Sequence, residues 1–166
     1  YLCIQAPTGM GKSGIASGLA AIDPRRTVIL TATKGLQEQY KKDAPFLVDI
    51  RGMGNYECLA ASTDPRFARF FYGRKHAIQC DEGPCRMDLP CDLKNEGCLY
   101  FDQNRKAMNA HAVITSYAYW LSIRRFGRGL GAAPRLVCDE AHALPEQLMS
   151  ACRIDLPAYE VRGRVP

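Results

Sequence analysis

Two short stretches of this chain carry the residue types that handle phosphate and a divalent cation. The first is Ala6-Pro7-Thr8-Gly9-Met10-Gly11-Lys12-Ser13. Backbone N–H groups of a glycine-rich turn can wrap phosphate oxygens, and a following helix adds its positive N-terminal end. Thr8, Gly9, Met10, Gly11, Lys12 and Ser13 are therefore the candidate nucleotide-binding residues. Lys12 is suited to reach the outer phosphates of ATP, and Ser13 to place its hydroxyl on Mg²⁺. Ala6 stands where the strict pattern G-x-x-x-x-G-K-[ST] has its first glycine. The second stretch is Asp139-Glu140-Ala141-His142, after the apolar run Leu136-Val137-Cys138. A carboxylate at the end of a buried strand suits Mg²⁺, which assigns Asp139 to the metal. Glu140 beside it suits a general base that orients and deprotonates water. His142 could couple nucleotide state to a neighbouring surface. A chance Gly-Lys-Ser turn and a solvated Asp-Glu helix cap are the bland alternatives. Their occurrence together, each after an apolar strand-like run, favours the ATPase reading.

Between the two stretches lie Cys58, Cys80, Cys85, Cys91 and Cys98, spaced x21, x4, x5 and x6. Four thiolates are the usual ligand set of an iron–sulfur cluster and also of structural Zn²⁺. Tight C-x2-C knuckles, common in zinc sites, are missing, so the spacing leans toward a cluster. Cys3 and Cys138 fall in apolar runs and read as small core residues, and Cys152 as a helix residue. Five cysteines for four places leaves one spare.

The elements that must position these groups follow from periodicity. Residues 2–4 read as the end of a buried strand. Residues 12–21 read as a helix with Ile15 and Leu19 on its inner face and Gly14 and Gly18 as small packing positions. Pro24 ends it. Strands are expected at 27–31, 47–50, 112–115 and 136–138, and helices at 36–42, 101–110, 117–124 and 144–152. From residue 51 to about 98 apolar periodicity fades and Gly, Pro, Asp and Cys become frequent, so this segment needs another source of stability, such as a bound metal. Strands alternating with helices imply an α/β fold, a parallel sheet covered on both faces.

The chain has 166 residues and a net charge of +5, from 22 basic and 17 acidic side chains. That excess permits a polyanionic partner without requiring one. No run is long and apolar enough to cross a membrane, and no signal peptide is visible. Eight cysteines without a secretory signal point to reduced or metal-bound thiols in a cytoplasmic protein. The start at Tyr1, directly in an apolar run, reads as a piece of a longer protein. Thr31, Thr33 and Lys34, between a strand and a helix, suit the phosphate backbone of a nucleic acid. Tyr56, Phe70, Phe71, Tyr72 and Tyr100 lie among Arg66, Arg69, Arg74 and Lys75. This mixture suits single-strand stacking, or equally a helix at 65–72 whose rings pack inward.

Taken in order along the chain, several motifs resemble the superfamily 2 DNA helicases of the XPD/DinG type, and among them the DinG-like bacterial and phage members. They are the stretch at 6–13, Thr31-Ala32-Thr33-Lys34-Gly35-Leu36-Gln37-Glu38-Gln39, Gly54-Asn55-Tyr56-Glu57-Cys58, Cys98-Leu99-Tyr100-Phe101, Ile114-Thr115-Ser116-Tyr117-Ala118, and the box at 139–142. The resemblance implies a RecA-like P-loop NTPase domain interrupted by a small Cys-rich iron–sulfur insert. The motor would comprise residues 1–50 and 106–166, and the insert residues 51–105. Lys12 and Ser13 would match the family's Walker A lysine and hydroxyl, Asp139 and Glu140 its Walker B pair, and Thr31 and Thr33 the motif that contacts the translocated strand. Cys58, after an Asn-Tyr pair, and Cys98, before an aromatic pair, would match the first and last ligands of a [4Fe–4S] cluster. Cys80, Cys85 and Cys91 compete for two places. Cys85 and Cys91 are preferred, being closest to Cys98, with Cys80 as the alternate. The resemblance further implies 5′-to-3′ unwinding with ATP and Mg²⁺, single-stranded DNA as partner, and a bacterial or phage-infected cytoplasm. A second motor domain of the same protein would lie beyond Pro166, so these residues alone are expected to bind nucleotide weakly and to unwind nothing. Two other readings compete: a non-catalytic single-strand-binding module stabilised by zinc or a cluster, and an RNA helicase of the DEAH class with a zinc insert.

Overall fold

The protein is described from a computed structural model covering residues 1–7, 9–127 and 129–153. Its centre is a four-stranded sheet of order β2-β3-β1-β4. The strands are β1 (Thr27–Thr31), β2 (Val48–Asp49), β3 (Ala112–Ser116) and β4 (Arg135–Cys138). Every pairing is parallel, with Thr27 opposite Ala112 on one side and opposite Arg135 on the other. β1 reads Thr-Val-Ile-Leu-Thr and is buried along its whole length, as an inner parallel strand between two helix layers must be.

Side chains alternate across this sheet. Ile29, Ala112 and Ile114 face one layer with Ala16 and Ala20 of α1 (Lys12–Ile22) and Tyr40 of α2 (Lys34–Asp43). Val28, Leu30 and Val113 face the other with Ala107 of α5 (Leu99–Asn109) and Tyr117, Tyr119 and Trp120 of α6 (Tyr117–Phe126). Local signals set the helix starts. Thr33 caps α2 by accepting from the Leu36 N–H, and Ser116 caps α6 by accepting from the Tyr119 N–H at 3.2 Å. At the N-terminal edge of the sheet, the Arg26 guanidinium donates to the carbonyls of Ala107, Ala110 and Ala132, tying α5 and two loops together. α7 (Leu144–Cys152) follows the acidic box, as its periodicity predicts.

Two expectations require correction. Leu2, Cys3 and Ile4 lie in no strand and are exposed, Leu2 at 86%. Both edges of β1 are already paired, with β3 and β4, so β1 offers these residues no edge to join. In α1 the buried face is Ala16 and Ala20, while Ile15 is 53% exposed. Gly14 and Gly18 have nothing within 4 Å of a built Cβ and so are not packing positions. The helix lies close to the sheet through its alanines, which turns the larger side chains outward.

Residues 53–98 form a separate small layer. It holds two short helices, α3 (Leu59–Thr63) and α4 (Pro65–Phe71), and 3₁₀ turns at Met53–Asn55, Pro84–Met87 and Asp92–Lys94. Its buried cluster is Cys58, Ala60, Ala61, Phe67, Ile78 and Cys80. Only Phe67 and Ile78 in that set are large hydrocarbons, so burial alone contributes little here.

The buried centre of β1 and the exposed face of α1 differ in what truncation should do. Ile29→Ala is expected to cost about 2–5 kcal/mol of unfolding free energy in urea. Ile15→Ala is expected to cost under about 1 kcal/mol.

Candidate functional site

The C-terminal ends of β1, β3 and β4 lie side by side, and there the chemistry-bearing residues gather. Open α/β sheets place ligands at this edge. The glycine loop leads into α1 with Gly9 at φ 82° and Gly11 at φ 77°, backbone that glycine adopts freely. Thr8 lies outside the described residues. Met10 is exposed, and Lys12 donates from Nζ to the carbonyl oxygens of Ala6 at 2.9 Å and Pro7 at 3.2 Å. The ammonium therefore lies across its own loop.

Asp139 follows β4, and its N–H continues the ladder to the Leu30 carbonyl at 2.9 Å. Its carboxylate is engaged on both oxygens. Oδ1 accepts from the Glu140 N–H at 3.0 Å, and Oδ2 accepts from the Tyr40 hydroxyl at 2.9 Å. Ser13 lies near the Tyr40 hydroxyl and favours its ionised form, against the larger effect of burial. The Asp139 carbonyl accepts from the Tyr117 hydroxyl at 2.9 Å. Tyr40 and Tyr117 reach the same residue from opposite faces of the sheet. Burial pushes both phenols up from their ordinary pKa, and the Asp139 and Glu140 carboxylates push the same way, so both stay protonated donors. Glu140 has φ 52° and ψ 48°, a left-handed conformation costing about 1–2 kcal/mol in a non-glycine residue. That turn separates its direction from that of Asp139. The Glu140 side chain is half-buried and pairs with the exposed His142 ring, Oε2 to Nδ1 at 3.2 Å.

Thr31, Thr33 and Lys34 divide. Thr31 is fully buried, and its hydroxyl is directed at the carbonyls of Thr33 and Thr115 at 3.3 and 3.5 Å. Its side chain does not reach the surface. Thr33 and Lys34 are exposed at the α2 N-terminus, next to the end of β1. Gln37, one turn on, is buried and donates to the Ile50 carbonyl at 3.0 Å, which fixes the helix to the sheet edge.

All five cysteines of the segment line one cavity of about 300 Å³, counting the space open to solvent, with Met53, Leu93 and Phe101 among its other walls. An isolated antiparallel bridge joins Glu57 and Gln79. Cys58 N–H donates to Ile78 and Cys80 N–H to Tyr56, both at 2.8 Å. Pleat alternation then puts Cys58 and Cys80 on one face, toward the cavity. This is why Cys80, distant from Cys58 in sequence, stands beside it. The Cys80 thiol has a local partner, the Glu57 carbonyl at 3.4 Å. Burial, reinforced by neighbouring thiols, pushes Cys80 up to about 12 and Cys85 up to about 11. Gly83 packs so closely that a Cβ there would stand 2.6 Å from Cys58 Sγ. Among the described residues, no three His, Cys, Asp or Glu side chains converge as one metal ion requires.

The aromatic residues near the basic cluster also divide. Phe67 is buried and Phe71 packs against the cysteine layer, whereas Phe70 and Tyr72 are exposed. Arg69 lies over the Phe70 ring at 5.0 Å. Tyr56 and Tyr100 pack edge to face at 5.7 Å and touch both the cysteine layer and the α5–α6 layer.

Comparison of the chain with models of known protein families and with curated proteins finds no match. Function therefore rests on this geometry. Sequence reasoning did not reach Tyr40, Tyr117 or Gly83. The signal available for Tyr40 was its position three residues after Gln37 on the inner face of α2, since a buried phenol needs a hydrogen-bond partner.

Gly83→Ala is expected to push Cys58 out of the cavity wall. The check is thiol labelling of the folded protein, which should modify Cys58 faster in the variant.

Proposed function

We propose that this chain is the first motor domain of an ATP-dependent DNA helicase of the XPD/DinG type, a RecA-like P-loop domain with an iron–sulfur insert. The observation that carries the nucleotide site is the placing of the Asp139 carboxylate, held by the Tyr40 hydroxyl at 2.9 Å, near Ser13 at the C-terminal edge of the sheet. These are the two side chains assigned to Mg²⁺ from separate motifs. In this reading the loop from Gly9 to Ser13 wraps the phosphates, and Lys12 leaves the Ala6 and Pro7 carbonyls to neutralise the outer ones. Glu140, turned away from Asp139 by its left-handed backbone, orients and deprotonates water. His142, hydrogen-bonded to Glu140, faces outward and responds to whatever binds above it. Single-stranded DNA contacts Thr33 and Lys34 at the α2 N-terminus, while Thr31 supports them from beneath. Phe70, Tyr72 and Arg69 on the insert suit stacking and charge contact with bases.

The donor set of the insert fits a cluster. A tetrahedral zinc needs four sulfurs each about 2.3 Å from one point. Thiolates are the usual ligands of a [4Fe–4S] group, which would supply bonds that fasten core-poor loops together. Cys58, Cys85, Cys91 and Cys98 would hold it. Cys80, which also lies against Cys58 and Cys98, is the alternate. The reading also assigns a second motor domain of the same protein as partner and the bacterial or phage-infected cytoplasm as location. Among the described residues no helix is long and apolar enough to cross a membrane.

The alternative, a non-catalytic strand-binding module, separates on Lys12→Ala in the full-length protein. A helicase motor loses ATP turnover by at least about 100-fold, the order expected for lost transition-state charge stabilisation, and keeps single-strand binding. Unchanged turnover would remove the motor reading. For the insert, iron and sulfide analysis after anaerobic purification should find iron retained in Cys80→Ala and lost in Cys58→Ala, Cys91→Ala and Cys98→Ala. Zinc in place of iron would remove the cluster. Because the thiols are raised, loading must displace protons, so metal uptake should weaken as pH falls.

A further inference from the structure

Tyr40 belongs to none of the motifs that suggested the site, yet it touches two of them. It is 1% exposed, enclosed by Ala16, Ala20, Ile29 and Leu47, and its hydroxyl emerges from that apolar layer at the Asp139 carboxylate. Ser13 lies in the first turn of α1, Tyr40 in the second half of α2 and Asp139 after β4, so side chains of three separate elements come together around one phenol. A phenol has one proton to give, and the Asp139 carboxylate accepts it. Glu140 N–H on Oδ1 and Tyr40 on Oδ2 together leave the carboxylate one orientation.

We propose that Tyr40 is a positioning residue for the divalent-cation site: its hydroxyl fixes the Asp139 carboxylate beside Ser13 and ties it to α2. This rests on the nucleotide-binding reading above. The same helix presents Thr33 and Lys34 at its other end, and Gln37 locks it to the Ile50 carbonyl between them. Lys34 and Tyr40 are six residues apart in one helix, about 9 Å along its axis. A displacement of the α2 N-terminus therefore reaches the Asp139 carboxylate through a single rigid element. Tyr117 is the natural control. It is an equally buried phenol bonded to the same residue, but to the backbone carbonyl instead of the carboxylate.

The test measures binding of a fluorescent ADP analogue to the intact protein as MgCl₂ is raised, alongside thermal unfolding, for wild type, Tyr40→Phe, Tyr117→Phe and Asp139→Asn. Phenylalanine keeps the ring in its packing and deletes only the hydroxyl. The expected result is a rise of about three- to tenfold in the MgCl₂ midpoint for Tyr40→Phe, the scale of the net contribution of one hydrogen bond. Binding without Mg²⁺ should be unchanged, the Tyr117→Phe midpoint should match wild type, and Asp139→Asn should lose the Mg²⁺ dependence. A Tyr40→Phe midpoint equal to wild type, with Asp139→Asn still deficient, overturns the role of Tyr40 and leaves the nucleotide site standing. Equal shifts in both phenylalanine variants, tracking their unfolding temperatures, overturn it as well. Wild-type protein that shows no Mg²⁺-dependent nucleotide binding removes the nucleotide reading, and this proposal with it.

Discussion

The parallel pairing of β1 with β3 on one side and β4 on the other is the constraint from which the rest of the molecule follows. In register, Thr31 meets Ser116 and Leu30 meets Cys138, so three strands end at one level. Their next residues are Ala32, Tyr117 and Asp139, and each begins a loop or helix at the same edge. A parallel sheet repeats its direction, so every crossover returns a fresh strand end to that edge. The opposite edge is occupied by structural bonds, chiefly those of Arg26 and the ion pair of Arg135 with Asp23. Chemistry and anchoring are thus separated by the length of the strands.

A second consequence concerns Asp139. An aspartate assigned to a metal must keep its carboxylate in one orientation, and free rotation of the side chain would work against this. Here two helix layers on opposite faces each contribute a buried phenol, and the neighbouring N–H supplies the third bond. Removing a buried donor leaves its acceptor unsatisfied at a cost of about 1–3 kcal/mol. The residue is therefore held by the packing of the whole domain. The left-handed Glu140 beside it is tolerated because both its flanks are fixed in this way.

Much of the sheet and its helices was legible in the sequence because local chemistry and global fold agree there. Thr27–Thr31, Lys12–Ile22 and Leu144–Cys152 follow from β-branched runs, helical periodicity and the punctuation of proline and glycine. The residues at 2–4 failed for a different reason. An apolar run states that a segment can be a strand, but only a free partner edge makes it one. Ile15 and Leu19 failed because close helix–sheet contact selects small residues, which hydropathy alone ranks below large ones. In the cysteine segment, spacing grouped the thiols but could not order them. Cys80 joins the others through the Glu57–Gln79 bridge, a contact between residues far apart in the chain. Thr31 sits in the motif a strand-contacting residue would occupy, yet its hydroxyl is turned into the sheet.

Tyr56 and Tyr100 belong to two packing layers at once, the one built on the sheet and the one built on the thiols. Tyr100 also exchanges a hydroxyl contact with Tyr119 at 3.1 Å, and Tyr56 accepts from the Arg51 N–H. Joints between modules normally run through thin polar linkers, where torque dissipates as bending. This joint is a pair of edge-to-face rings, each held at its hydroxyl, so it resists shear and rotation. A load applied at the exposed tip of α4 would be borne by α5 and α6 as a lever bears it on its fulcrum, with little lost to flexing between.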